Sequence, residues 1–120
     1  SIWLSFTTLQ AQGIEFFHGT WEEALVKAKA EDRIIFVDAF TTWCGPCKAL
    51  MPHIERLAQE YEGRIKVLKV DVDKNEALAA QADIRTIPTL FFIDLDGNIQ
   101  RSIGGMPYSE LEKRVEALLK

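Results

Sequence analysis

The sequence predicts one α/β domain, a mixed five-stranded sheet flanked by four helices in the order βαβαβαββα. Three observations carry this. Helix-start signals precede apolar residues spaced three and four apart, near-continuous apolar runs alternate with those segments, and an Asp96-Gly97 turn joins the last two runs. A length of 120 residues suits one core and leaves little room for a second. With 48% hydrophobic and 27% charged residues, most of the chain is expected to fold.

Ile14 to Phe17 is read as a short first strand. Thr20-Trp21-Glu22-Glu23 has the capping-box arrangement, a hydroxyl followed three residues later by a carboxylate, and Leu25, Ala28 and Lys29 continue at helical spacing. Ile34 to Phe40 is almost continuously apolar and rich in branched and aromatic side chains, as expected of a central strand covered on both faces. From Cys47, the residues Leu50, Met51, Ile54, Leu57, Ala58 and Tyr61 mark one buried stripe on a long helix that Gly63 closes. Pro52 lies inside it, where it removes a backbone hydrogen bond and should kink the axis.

Arg64 to Val72 alternates like a strand. Asp73-Lys74-Asn75-Glu76 repeats the capping pattern ahead of an alanine-rich helix expected to end near Asp83. Thr89 to Asp94 and Asn98 to Ile103 form an antiparallel hairpin about the Asp96-Gly97 turn. Ser109-Glu110-Leu111-Glu112 is expected to cap the last helix.

A net charge of −4 with interspersed signs gives no clustered positive field, so nucleic acid is not an expected partner. Asp38 and Asp94 interrupt the two most apolar stretches before they reach the roughly 18 residues a membrane span needs, so the folded domain is not expected to cross a membrane. Ile2 to Leu9 is largely apolar and runs into Gln10-Ala11-Gln12-Gly13, like the core of a signal peptide entering its cleavage site but without a basic leader. Residues 1–13 are therefore read as a signal-peptide remnant or an N-terminal extension, and 14–120 as the domain. An exported, periplasmic setting is expected, with a cytoplasmic one as the alternative.

Cys44 and Cys47 are the sole cysteines and sit at a strand-to-helix junction. At i and i+3 on a first helical turn they lie close enough to form and break a disulfide. Cys44 would face backbone N–H groups without helical partners and the positive end of the helix dipole, both of which stabilise a thiolate. Pro46 suits an early helical position because no N–H is needed there. These features favour redox chemistry, with Cys44 as nucleophile and Cys47 as resolving thiol. Three readings stay open beside it. A structural link would close too short a loop to remove much unfolded-state entropy. Zinc binding lacks histidines at finger-like spacing, His18 and His53 being the two present. Two reduced, buried spectators are the third.

Thr42-Trp43-Cys44-Gly45-Pro46-Cys47-Lys48 resembles the active site of the thioredoxin family, and the element order from about Ile14 to Lys120 resembles that fold. Several separated motifs fall in register. Asp38 resembles the family's buried acid, Pro52 its helix-kinking proline, Lys69 the lysine near that acid, and Ile87-Pro88-Thr89 its cis-proline loop. The resemblance implies that Asp38, its pKa raised by desolvation, accepts a proton from Cys47 and that Lys69 moderates it. On the residues alone, Asp38 is equally a carboxylate at a strand end and Lys69 a solvated strand residue. Base rates alone would make the bond before Pro88 trans; the resemblance implies cis. It also implies that Trp43, Gly45, Pro46, Ile87, Pro88, Gly104 and Gly105 form the surface on which substrate docks.

The implied activity is thiol-disulfide exchange, in the direction of protein-disulfide reduction, through a Cys44–Cys47 disulfide or dithiol and with no separate cofactor or metal. The implied partners are disulfide-containing proteins and an upstream protein reductant, membrane-embedded if the chain is exported. The alternatives are a disulfide oxidase or isomerase, or a non-catalytic binding, chaperone or metal-handling module. Four features depart from the family pattern. Phe40 stands where many members have tryptophan, Thr41 and Thr42 replace small and acidic residues, and the Asp94 to Gly97 turn is slightly longer. The first helix with Trp21 is more similar to exported or membrane-tethered members than to cytosolic ones.

Overall fold

The structure is a computed structural model that describes residues 14–120; the predicted signal-peptide remnant or extension at 1–13 lies outside the described residues. Five strands, β1 (Ile14–Phe16), β2 (Ile34–Phe40), β3 (Ile65–Asp71), β4 (Thr89–Ile93) and β5 (Ile99–Ile103), form one sheet in the order β1-β3-β2-β4-β5. β1, β3 and β2 run parallel, and β4 and β5 are antiparallel to their neighbours. Among the described residues the α-helices are α1 (Trp21–Ala30), α2 (Gly45–Glu60), α3 (Glu76–Gln81) and α4 (Tyr108–Leu119). The predicted mixed sheet and element order are both present.

β2 is buried along its whole length, which explains its unbroken apolar run. Its side chains alternate between two cores. Ile34 and Phe36 pack with Leu50, Ile54 and Leu57 of α2 and Leu111 and Val115 of α4. Ile35, Val37 and Ala39 pack on the other face with Ala24 of α1, Leu78 of α3 and Ala82 just beyond it. The period of two therefore places Asp38 and Phe40 on the face that α2 covers.

Thr20 caps α1 as read from sequence: its side chain accepts the Glu23 N–H and the Glu23 carboxylate accepts the Thr20 N–H at 2.8 Å. The two other expected capping patterns are not realised. Asp71, not Asp73, accepts a backbone N–H (from Asp73, 3.0 Å) and opens a short 3-10 turn at Val72–Lys74, after which α3 begins without a side-chain cap. α4 begins at Tyr108 behind Pro107, so Ser109 already lies inside the helix and caps nothing. α2 ends at Glu60, and Gly63 (φ +84°) turns the chain toward β3 three residues later. Among the described residues, no helix is long and apolar enough to cross a membrane.

Candidate active site

β2 delivers the chain to the site, and α2 starts it. Cys44 is the N-cap of α2, in extended conformation (φ −82°, ψ 117°), so its Sγ points back at the unpaired N–H groups of the first turn and accepts the Cys47 N–H at 3.1 Å. Cys44 and Cys47 are disulfide-bonded, with their α-carbons 5.2 Å apart. Pro46 occupies the first turn, where its missing N–H costs nothing. Pro52 lies within α2 as expected.

Both sulfurs belong to a small apolar cluster with Phe40, against which Ile87 packs. The Ile87-Pro88 bond is cis, as the resemblance implied and base rates did not. The Gly104 N–H donates to the Pro88 carbonyl at 2.8 Å, and a Cβ on Gly105 would stand 3.8 Å from Leu50 Cδ1 of α2. Pro88 and Gly104 are thus joined by a hydrogen bond, Ile87 lies against the cysteines, and Gly105 borders the first turns of α2. Gly45 and Pro46 are exposed. Trp43 is 67% exposed, and its indole N–H donates to Asp73 Oδ2 at 2.8 Å.

Behind the cysteines, Asp38 and Lys69 stand opposite each other in the β2–β3 register. Both are buried, with Lys69 Nζ 3.5 Å from Asp38 Oδ2. Burial pushes the Asp38 carboxyl above its ordinary value, and the Lys69 ammonium offsets only part of that rise. Among the described residues, Asp38 Oδ1 has no hydrogen-bond partner, and neither does the buried Thr41 Oγ1. Reading Lys69 as a solvated strand residue fails because its side chain is buried, with the Phe40 ring and Met51 against its ammonium.

Sequence reasoning missed three neighbours of this pair. Lys69 Nζ lies 4.2 Å from the Phe40 ring centroid and 5.9 Å from that of Phe16, and it donates to Met51 Sδ. Met51 was legible only as one residue of an apolar stripe. Its place one helical turn after Cys47 was the available signal. Asp73, read as a helix cap, instead holds Trp43. Among the described residues, no group of three or more His, Cys, Asp or Glu is placed to hold a metal ion.

The family model described as Thioredoxin matches residues 14–117. The chain is 33% identical over 102 residues to a thioredoxin of Chlorobaculum thiosulfatiphilum, covering 85% of this chain and 94% of that one. It is 39% identical over 84 residues to a thioredoxin of Staphylococcus aureus, covering 70% and 81%. The solved structure of chloroplastic thioredoxin z aligns with a TM-score of 0.79 at 34% identity over 88% of this chain and 93% of that one. Proteins of this family act on disulfide-containing proteins through a redox-active cysteine pair, without a separate cofactor. With sheet order, cysteine pair and relatives in agreement, the chain belongs to the thioredoxin family and is a thiol-disulfide oxidoreductase.

Proposed function

We propose that the protein works as a reductase of protein disulfides, with Cys44 as attacking thiolate and Cys47 as resolving thiol. The observation that carries the division of roles is the Cys44 Sγ at the N-cap of α2, accepting the Cys47 N–H at 3.1 Å. A negative sulfur is stabilised there by an N–H with no helical partner and by the helix dipole. Cys47 lies inside the first turn and lacks that position.

In the reaction, the Cys44 thiolate attacks one sulfur of the substrate disulfide and expels the other as thiolate, forming a mixed disulfide. Cys47 then loses its proton and attacks Cys44 Sγ. This closes the Cys44–Cys47 disulfide and releases the substrate with both sulfurs reduced. The two electrons come from the protein's dithiol, which an upstream protein reductant must restore. Asp38 is the proton acceptor for Cys47, supported by its raised pKa and by an Oδ1 without a hydrogen-bond partner among the described residues. Lys69 keeps the ionised form of Asp38 accessible. Substrate lies across Trp43, Gly45, Pro46, Ile87, Pro88, Gly104 and Gly105, where exposed Trp43, Gly45, Pro46 and Gly105 and half-buried Ile87 and Gly104 surround the buried sulfurs and the buried Pro88. The apolar-to-polar pattern of residues 2–13 supports an exported setting, in which the reductant would be a membrane protein.

A Cys47→Ser variant tests the assignment. Mixed with a disulfide-containing protein such as insulin, it accumulates a covalent adduct through Cys44 that dithiothreitol releases, whereas Cys44→Ser does not. Adducts forming equally on the Cys44→Ser variant would remove the division of roles, and adducts forming on that variant alone would reverse it. A redox titration placing the couple well above about −200 mV would remove the reductase direction; thioredoxins are themselves the reducing reference on this scale, at about −270 mV.

A further inference from the structure

Lys69 is an ammonium with more donors than its one carboxylate can serve. Its side chain is 3% exposed, and Asp38 Oδ2 stands 3.5 Å away. A buried charge with a single carboxylate oxygen beside it is costly unless other groups also hold it. Those groups are the Phe40 ring face at 4.2 Å, the thioether of Met51 and, further out, the ring of Phe16 at 5.9 Å. Phe16 and Phe40 themselves meet edge to face, with centroids 6.3 Å apart. An aromatic face attracts a cation through its quadrupole, more strongly where water is excluded, and the sulfur lone pairs accept weakly from an N–H.

We propose that Phe40 and Met51 are positioning residues for thiol-disulfide exchange, forming an aromatic–thioether cage that fixes the Lys69 ammonium beside Asp38 and thereby sets the strength of the proton acceptor for Cys47. The inference rests on the role given to Asp38 above. Coulombic attraction inside a protein depends steeply on placement, since little solvent intervenes to damp it. A cage that holds Nζ near Oδ2 keeps Asp38 more acidic than burial alone would leave it, and losing the cage should raise its pKa further.

The surroundings leave few other charges to do this. β2 contributes Asp38 itself, and β4 places Leu90 opposite it. β3 carries Asp71 on the same face as Lys69, but its carboxylate accepts the Asp73 N–H. α2 contributes Met51 and the cysteine pair, with Lys48 exposed. β1 places Phe16 in register with Lys69, and its Glu15 is bound to Lys27 and Lys66.

The test follows the Asp38 carboxyl by carbon-13 NMR titration in the oxidised protein, where neither cysteine titrates. Phe40→Leu should raise the Asp38 midpoint by about half a pH unit, and Phe40→Trp, which keeps an aromatic face, should leave it near the wild-type value. An unchanged midpoint in a folded Phe40→Leu variant overturns the cage. If that variant does not fold, Met51→Leu is held to the same criterion. In the reduced protein, the pH at which mixed-disulfide resolution is half-maximal should move upward with the Asp38 midpoint. Should the midpoint move while the resolution profile stays still, the cage stands and the role of Asp38 as proton acceptor falls.

Discussion

Asp38 is subject to two opposed forces, and their balance has a measurable sign. Burial disfavours its charge more than Lys69 favours it, so its folded pKa lies above the unfolded value of about 3.9. Between those two values the folded state binds the extra proton. The contribution of Asp38 to stability is therefore fully present below about pH 4 and is lost as pH rises through the folded pKa. Urea unfolding of the oxidised protein should show wild type losing stability relative to Asp38→Asn over that interval, with the difference levelling off above it. A difference independent of pH from about 4 to about 8 would mean that Asp38 titrates normally. The presence of an acid in an apolar strand was legible from sequence. Its pairing with Lys69 was not derivable from spacing, because the two lie on separate strands and only the β2–β3 register sets them opposite one another.

Helix starts show how far local signals carry. Three hydroxyl-or-acid patterns in the sequence look alike, yet only Thr20 caps. At α4, Pro107 cannot continue a helix behind it and fits just ahead of one, so the start moves to Tyr108 and strands Ser109 inside. Ahead of α3, Asp71 captures the Asp73 N–H and tightens the chain into a 3-10 turn. Thr20→Ala should accordingly cost about 1 kcal/mol, whereas Ser109→Ala should stay within about 0.5 kcal/mol. Chemical denaturation of both variants checks the contrast, and equal losses would contradict this reading of α4.

Across the whole molecule, the sheet divides two apolar cores, and the site sits where the core under α2 reaches the surface. Leu57 is fully buried in that core, together with Phe36, Phe92 and Leu111. Leu57→Ala should cost about 2–5 kcal/mol, a large part of the roughly 5–15 kcal/mol that holds a domain folded. Its unfolding midpoint in urea should drop accordingly; a loss under about 1 kcal/mol would mean that the core collapses around the gap. Leu57 packs in a cluster separate from the one that holds both cysteines, so the folded variant should retain its thiol-disulfide exchange.

By itself, the sequence determined the α/β order, the buried central strand and the placement of Cys44 and Cys47 at a helix start, because each depends on residue spacing along one segment. The family resemblance added the cis bond before Pro88. Only the tertiary structure decided what surrounds Lys69. Phe16, Phe40 and Met51 come from β1, β2 and α2, and nothing in their local spacing says that they meet. Strand order and helix packing bring them together around one buried ammonium beside Asp38.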